Sequence, residues 1–319
     1  MFAYQIVDHT GRNGLQKTEL PDPVPGPGEV AIDVEIAGLG LIDALWASGT
    51  MPSNVGFVPG LEVAGKVRAI GDEVTGLAPG DEVAAILPGA GGLAQIAKTQ
   101  ADYVAKLPTG MDLELASVVP VNTVTAHLAL TTVAQCTSGE SVLVHAGMGG
   151  LGTQFGQIAR LLGASRVDAV VGNEDKRKMA KELGYDNVYL RSDLGSVPEN
   201  AYDIVVDPVG GEAARTAFSS LRSGGRHVRV GNASQQEDVP VSSVAHWLEN
   251  KSTVGFNVGL WISAHPDQGA KSLAWSLHNV SNQSIRVDLT EVGPIEQVTE
   301  MLAALQSGRT VGKLAVRLS

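Results

Sequence analysis

The stretch VLVHAGMGGLGTQFGQIARLLG, residues 142–163, decides the fold of this chain. It begins with an apolar run typical of a buried strand, passes through a glycine-rich turn and ends in a helical pattern. The first glycine of a G-x-G-x-x-G spacing permits a tight turn, the second lets the backbone approach a pyrophosphate, and the third lets the helix pack on the strand. The helix N-terminus then offers N–H groups and a partial positive charge to phosphates. The stretch therefore predicts dinucleotide binding through Gly147, Gly149, Gly150, Leu151 and Gly152.

The region downstream of this stretch alternates between strand and helix patterns. Strands are predicted at residues 141–146, 166–171, 188–190, 203–207, 226–230 and 253–257. Helices are predicted at 149–162, 174–183, 212–221 and 242–248, and two amphipathic helices near 268–280 and 294–307 precede a final strand at 313–317. Strands that alternate with helices are typical of a parallel, doubly wound sheet.

The region upstream has a different pattern. β-rich runs separated by glycine and proline turns occur at residues 30–36, 62–70, 82–87 and 102–106. Short strands with such turns indicate a compact, partly open β-barrel. With 319 residues, the chain is long enough for two domains of ordinary size.

The composition limits the partners of the chain. Its net charge is −11 without a compensating basic tract, so we expect no nucleic acid and no membrane surface as partner. Cys136 is the single cysteine, which excludes a disulfide within the chain and a zinc site built from several cysteines. No segment approaches the ~20 apolar residues of a membrane span, and residues 1–14 lack the pattern of a secretory signal. We therefore expect a cytoplasmic protein that acts on a small-molecule substrate.

Seven short phrases occur in a fixed order along the chain: PGPGEV at 25–30, PGLEVAGKV at 59–67, NTVTA at 122–126, VDPVGG at 206–211, VGNAS at 230–234, GFNVG at 255–259 and TVGKLAV at 310–316. In this order they resemble the medium-chain dehydrogenase/reductase superfamily, and within it the zinc-independent quinone oxidoreductase branch. The resemblance implies an α/β fold in which a Rossmann doubly wound parallel sheet is inserted into a GroES-like, partly open β-barrel catalytic domain. The Rossmann domain is expected at residues 118–258, and the catalytic domain at 1–117 and 259–319.

Zinc-dependent members of this superfamily have a metal site that the sequence lacks. They use a cysteine, a histidine–glutamate pair and a later cysteine or acid, whereas Leu39, Gly40 and Leu61 stand here at the first positions and cannot bind zinc. Glu62 remains without its histidine partner. The histidines are scattered without ligand spacing: His9, His127, His145, His227, His246, His265 and His278. We expect a zinc-independent enzyme without metal, which favours reduction of a quinone or conjugated double bond over alcohol oxidation.

The residues after the second strand of the Rossmann pattern favour NADP(H). A site for NAD usually has an acid at the end of that strand, where it binds the ribose 2′-OH. Val171 takes that position here, and Gly172 and Asn173 follow it. Lys176 matches the family lysine that binds the 2′-phosphate, and Arg191 follows the third strand, where a guanidinium could bind a phosphate with two hydrogen bonds.

Other candidate cofactor contacts have less specific signals. Asp168 is an acid near the spacing of a ribose-binding residue, but it lies early in its strand, so we interpret it as structural and keep ribose binding as the alternative. The resemblance adds a threonine near the cofactor, residues at strand ends along the groove, and a segment whose backbone pairs with the nicotinamide carboxamide. These residues are Thr125, Val209, Gly231, Asn232, Phe256, Asn257 and Val258.

The candidate substrate pocket is less polar and less aromatic than the family pattern. Family members often have an asparagine at the position of Gly40 and a tyrosine at the position of His127. His127 is either a substrate contact or a structural residue. The candidate pocket residues are Gly40, Leu41, Leu45, Trp46, Met51 and His127. Paired carboxylates and a nucleophile elbow are absent from the sequence, so no catalytic residue is assigned.

These observations favour an NADPH-dependent oxidoreductase that transfers hydride to a quinone or an α,β-unsaturated carbonyl acceptor, because the nicotinamide itself carries that chemistry. A zinc-free alcohol or ketone dehydrogenase is one alternative. A non-catalytic NADPH-binding redox sensor is another. The resemblance also implies a homodimer in which two Rossmann sheets join edge to edge through a strand such as 253–257.

Overall fold

The computed structural model describes residues 1–8, 14–308 and 310–318, so His9 lies outside the described residues. The strands are β1 (Phe2–Ile6), β2 (Leu15–Glu19), β3 (Glu29–Leu39), β4 (Glu62–Ile70), β5 (Glu82–Ile86), β6 (Ile96–Gln100), β7 (Val104–Lys106), β8 (Ser141–His145), β9 (Arg166–Val171), β10 (Val188–Leu190), β11 (Tyr202–Asp207), β12 (Leu221–Arg229), β13 (Ser252–Gly255), β14 (Leu289–Pro294) and β15 (Lys313–Arg317). The α-helices are α1 (Leu41–Ala47), α2 (Leu113–Ala116), α3 (Pro120–Leu128), α4 (Gly152–Leu161), α5 (Glu174–Glu182), α6 (Glu212–Ser220), α7 (Ser243–Glu249), α8 (Val258–Ala264), α9 (Pro266–Ser281) and α10 (Val298–Gln306). Across these ranges, no helix combines the length and the apolar character needed to cross a membrane.

The chain divides into two compact units. One consists of Met1–Val124 with Gly259–Ser319, and the other of Thr125–Val258. The family resemblance implies a first boundary between residues 117 and 118, whereas the compact units meet between 124 and 125, inside α3. A sequence pattern cannot locate a boundary that falls within a continuous helix. The second boundary lies between residues 258 and 259.

The first unit is built on a mostly antiparallel sheet with the strand order β14-β15-β3-β4-β5-β7. The long strand β3 pairs with β6 through residues 29–33 and with β15 through residues 36–39, so it changes partner along its length. Register shifts against β4 between Ala31 and Ile32 and between Val34 and Ile36 accompany that change. Bulges of this kind bend a strand and are the usual means of curving a sheet toward a barrel. This curved, mostly antiparallel sheet agrees with the predicted partly open β-barrel.

Several elements of the first unit were missed in the sequence analysis, namely β1, β2, β6, β14, α1, α2 and α8, and so was α3, which spans the boundary between the units. Strand β2, with the sequence LQKTE, is an example, because most of its side chains are polar and exposed and it therefore lacks the apolar alternation of a half-buried strand. Its pairing with β1 supplies the order that its own sequence does not predict. The run at 102–106 is shorter than predicted, because a 3₁₀ turn precedes β7.

The second unit is a six-stranded parallel sheet with the order β10-β9-β8-β11-β12-β13. Numbered from the first strand of the unit, this is the order 3-2-1-4-5-6 of a Rossmann fold, as predicted. All five residues of β8 are buried, in keeping with a central strand covered on both faces. Helix α4 buries Phe155, Ile158 and Ala159, a spacing that faces one side of a helix toward the sheet. The carboxyl ends of all six strands therefore lie at one edge.

Candidate functional site

The glycine-rich turn lies between the end of β8 and the start of α4. The helix begins at Gly152 rather than at residue 149 as predicted, because residues 147–151 form the turn itself. A Cβ on Gly147 would lie 2.6 Å from the Cβ of Ala169, and a Cβ on Gly152 would lie 2.1 Å from the carbonyl oxygen of Ala146. Both glycines are therefore required by close approach of neighbouring atoms. The left-handed residue beside the turn is Ala146, with φ 52°.

The buried Tyr185, which the sequence analysis missed, packs against this turn and hydrogen-bonds to it. The Tyr185 hydroxyl donates a hydrogen bond to the Gly152 carbonyl at 2.8 Å and lies 3.2 Å from the Gly147 carbonyl. Burial raises the pKa of Tyr185 far above its usual value, so the hydroxyl stays protonated and remains a donor. A Cβ on Gly156 would lie 2.4 Å from this hydroxyl oxygen, so the tyrosine fits only because residue 156 is a glycine.

The ends of β9 and β10 bring two cations together. Asn173 caps α5, since its side chain accepts the Lys176 N–H at 2.9 Å. Burial lowers the pKa of the half-buried Lys176, and the nearby positive charge of Arg191 lowers it further. Gly172 is exposed, and no atom lies within 4 Å of the Cβ that could be added there. Two like charges held close together, beside open space and without an acid at the strand end, form a suitable site for a phosphate group.

Asp168 is confirmed as a structural residue and cannot bind a ribose. Its side chain is 0% exposed. Tyr202 donates a hydrogen bond to it at 2.6 Å, and the Asn187 N–H donates another at 3.0 Å. The alternative interpretation, which rested on sequence spacing, was therefore wrong, because spacing does not indicate the face to which a strand residue points.

The ends of β11, β12 and β13 bring the other predicted cofactor residues to the same edge of the sheet. Val209 follows β11 and is nearly buried, whereas Gly231 and Asn232 follow β12 and are exposed. Phe256 follows β13 and donates its N–H to the Arg229 carbonyl at 2.8 Å. Strand β13 ends at Gly255, two residues earlier than predicted, and Val258 opens α8; Asn257 between them is exposed.

The first unit gathers most of the predicted substrate residues on one short helix. Gly40 is the N-cap of α1, which carries Leu41, Leu45 and Trp46, and all four residues are half-buried. The carboxylate of Asp43 accepts the N–H groups of Gly40 at 2.9 Å and Gly60 at 2.8 Å. This buried acid, which the sequence analysis missed, thus joins the start of α1 to the loop before β4. Burial raises its pKa to about 6, although both hydrogen bonds act in the opposite direction.

Three further predicted residues are not part of this helix. Met51 follows α1 and is 40% exposed. Thr125 and His127 lie on α3, in the other compact unit, with Thr125 buried and His127 half-buried. Burial lowers the pKa of His127 to about 4, so its imidazole is neutral at neutral pH.

The position at which zinc-dependent members have a histidine–glutamate pair holds an ion pair in this chain. Glu62 is 2.5 Å from the ammonium of Lys313, and both side chains are almost fully buried. Lys313 also donates to the Leu39 carbonyl at 3.1 Å, and Glu62 accepts the Val121 N–H at 2.8 Å. Within residues 1–8, 14–308 and 310–318, no group of three or more His, Cys, Asp and Glu side chains is arranged to hold a metal ion. The residues of this unit therefore do not fit a catalytic zinc.

Two family models match the chain: the alcohol dehydrogenase GroES-like domain at residues 26–109 and the zinc-binding dehydrogenase domain at residues 150–275. A probable oxidoreductase from Mycobacterium abscessus is 30% identical with a TM-score of 0.84, over 100% of this chain and 99% of that one. The chain belongs to the medium-chain dehydrogenase/reductase superfamily, in its quinone oxidoreductase branch.

Two more solved structures of the superfamily are similar over nearly the full length. A mycobacterial protein complexed with NADPH is 27% identical with a TM-score of 0.90, and the alignment covers 100% of both chains. A quinone oxidoreductase from Pseudomonas syringae pv. Tomato is 26% identical with a TM-score of 0.90, over 99% of both chains. Among curated proteins, the fungal highly reducing polyketide synthase phiA is 27% identical over 96% of this chain. The chain spans only 12% to 16% of the length of the curated relatives that it matches.

Proposed function

We propose that this member of the superfamily is an NADPH-dependent oxidoreductase that reduces a quinone or an α,β-unsaturated carbonyl compound without zinc. The observation that carries the proposal is the single sheet edge at which six parallel strands end, with the glycine turn at its centre and the two cations at one side. Dinucleotides bind at this edge in doubly wound sheets. When bound, NADPH would supply a hydride to an electron-poor acceptor.

The choice of NADPH over NADH rests on Lys176 and Arg191. Both are positively charged, their charges interact, and Val171 stands where a ribose-binding acid would otherwise lie. The space that Gly147 and Gly152 leave open would accommodate a pyrophosphate at the N-terminus of α4. The NADPH complex of the mycobacterial relative supports this choice.

Independence from zinc rests on the buried pair of Glu62 and Lys313. An ammonium 2.5 Å from the carboxylate satisfies the negative charge that a metal would otherwise neutralise. Leu61 supplies no nitrogen or sulfur ligand beside it. We therefore propose an acceptor that is already activated by conjugation.

The acceptor class is proposed from the apolar character of the candidate pocket. Leu41, Leu45 and Trp46 share α1, and Trp46 packs edge-on against Phe57 with ring centroids 4.9 Å apart. An apolar wall of this kind favours a quinone or enone over a charged substrate. The match to reducing polyketide synthases adds an enoyl thioester as a further α,β-unsaturated carbonyl to be tested.

We also propose that the chain forms a homodimer. Strand β13 ends the sheet order and, in the part of the chain that the structure describes, pairs only with β12. Beside it in sequence, α7 exposes 54% of Val244, 74% of Trp247 and 66% of Leu248. An unpaired sheet edge next to an exposed apolar patch is a surface that a second copy could cover.

The test of the proposed function is a turnover assay. NADPH oxidation is followed by absorbance with a panel of quinones, enones and an enoyl thioester, with and without a metal chelator. We expect turnover of at least one acceptor at a rate that the chelator does not change. Tight NADPH binding without turnover of any acceptor would favour a redox sensor, and metal-free oxidation of an alcohol would favour a dehydrogenase.

A further inference from the structure

A buried polar cluster, formed by His145, Asp207, His227 and Arg229, lies at the edge that carries the candidate cofactor residues. His145 and Asp207 are the last residues of β8 and β11, while His227 and Arg229 lie near the end of β12. These three strands are adjacent in the sheet. His145, Asp207 and His227 are at most 1% exposed, and the proposed reaction assigns them no role.

The carboxylate of Asp207 is the centre of this cluster. Its Oδ1 accepts the N–H groups of Val209 at 2.8 Å and Gly210 at 2.9 Å. Its Oδ2 lies 3.3 Å from Nε2 of His227 and 3.5 Å from Nε of Arg229. Burial would raise the pKa of Asp207, but its hydrogen bonds and the two neighbouring histidines outweigh burial and lower the pKa to about 2.

The two N–H bonds to Asp207 fix a loop of unusual shape. Gly210 and Gly211 follow one another with φ values of 74° and 58°, a conformation open to glycine at little cost. The carbonyl of Val209 accepts the N–H of Ser234 at 2.9 Å, so this loop is also joined to the loop after β12. Since the Arg229 carbonyl accepts the Phe256 N–H, the segment after β13 is attached to the same framework.

We infer that Asp207 is a positioning residue for the nicotinamide half of the cofactor, and that it acts through the loops after β11 and β12. This inference rests on the proposed function. The backbone groups near Val209 and Phe256 keep their directions because the buried carboxylate holds the loop in place. His227 completes the arrangement, since its Nε2–H tautomer donates to Oδ2 while its buried Nδ1 has no hydrogen-bond partner among the described residues.

The position of Asp207 in the sheet gives the inference a specific signature. Lys176 and Arg191 follow β9 and β10, on the opposite side of β8 from β11 and β12. A change at Asp207 should therefore weaken binding of the nicotinamide half and leave the adenosine half unaffected. General loss of structure would weaken both.

The experiment compares Asp207→Asn with a matched control, Asp203→Asn. Asp203 lies on the same strand and is also buried, but it is near the opposite end of the strand and accepts the Ser141 N–H at 2.8 Å. Dissociation constants of NADPH and of 2′,5′-ADP, which lacks the nicotinamide half, are measured by calorimetry. We expect Asp207→Asn to weaken NADPH binding about tenfold and to leave 2′,5′-ADP within about twofold, whereas Asp203→Asn changes the two ligands equally or not at all.

The outcomes separate this inference from the proposed function. A wild-type chain that binds neither ligand overturns the proposed function. A wild-type chain that binds both, with Asp207→Asn altering both equally or neither, overturns only the positioning role. If Asp207→Asn does not fold, His227→Ala takes its place, because it removes the partner of Oδ2 and should cause the same selective loss. Equal effects of His227→Ala on both ligands would then contradict the inference.

Discussion

At the residue scale, the candidate site contains two contrasting groups of charged side chains, Lys176 with Arg191 and Asp207 with its partners. Burial lowers the pKa of Lys176, and the neighbouring positive charge of Arg191 lowers it further. Such an arrangement is retained where a negatively charged ligand compensates for it. Asp207 shows the opposite case, because its carboxylate lies beside the Arg229 guanidinium and accepts a hydrogen bond from His227.

Replacing the two cations should alter the preference for NADPH. We expect Lys176→Ala and Arg191→Ala each to raise the NADPH dissociation constant by roughly 10- to 100-fold, since a hydrogen bond to a charged group contributes ~1.5–3 kcal/mol. The NADH dissociation constant should not change, because NADH lacks the 2′-phosphate. Lys178→Ala is the control, as Lys178 is exposed on the same helix. Equal effects on both cofactors would refute the assignment of NADP(H).

The buried His145 should make the second unit sensitive to acid. Burial lowers its pKa from 6.5 to about 4, so the folded state binds a proton less readily than the unfolded chain. Its contribution is therefore complete above about pH 6.5 and is lost as the pH falls through 4, a change of roughly 3 kcal/mol. Asp207, whose pKa is lowered to about 2, adds a second loss below its ordinary value of 3.8.

Unfolding midpoints measured from pH 7 to pH 4 test this dependence. We expect His145→Gln to lose less stability over that range than the wild type, because glutamine does not titrate. An unchanged slope in His145→Gln would show that His145 is not the group responsible.

The opposite dependence is expected of Asp43, which lies in the first unit, because a carboxyl with a raised pKa stabilises the fold most at low pH and loses that contribution as the pH rises through 6.

At the element scale, the glycine turn was the part of the site that the sequence predicted best. Its strand–turn–helix context and three-glycine spacing predicted the turn itself, and binding of a dinucleotide there is a proposal. The support of the turn by Tyr185 was not predictable, because Tyr185 lies 33 residues from Gly152 in sequence. Gly156 was visible in the sequence. The reason for a glycine there is its close approach to Tyr185, which follows α5.

The ion pair between β4 and β15 is a second element-scale feature, and it can be tested with a double-mutant cycle. Lys313→Met should lower the free energy of unfolding by ~3–5 kcal/mol, because it leaves the Glu62 carboxylate buried without a cation. The double variant with Glu62→Gln should regain much of this loss. Lys66→Met is the control, since Lys66 pairs with Glu35 at the surface and should contribute less than about 1 kcal/mol. A double variant no more stable than Lys313→Met would indicate that the pair does not act as a unit.

At the scale of the whole molecule, the exposed apolar residues of α7 are the surface at which we expect the proposed homodimer to form. A tryptophan that is 74% exposed beside an unpaired sheet edge is costly for a monomer, because it presents apolar surface to water. We expect Trp247→Glu to convert a dimer to a monomer in analytical ultracentrifugation. Val24→Glu, at a valine that is 81% exposed elsewhere, is the control and should remain dimeric. A monomeric wild type would contradict the proposed dimer.

The sequence by itself predicted the two-part organisation and the Rossmann sheet, because apolar periodicity and glycine spacing are local properties. Together with the family resemblance, it also gave candidate cofactor residues at all six strand ends of that sheet. It also indicated the missing zinc ligands, since a leucine cannot bind a metal wherever it lies. Only the tertiary structure decided that Asp168 is buried, that Glu62 is neutralised by Lys313, and that Asp207 joins the ends of β11 and β12. These facts depend on contacts between residues far apart in the chain, and the direction of a side chain in a parallel sheet is fixed by strand order and register rather than by its sequence neighbours.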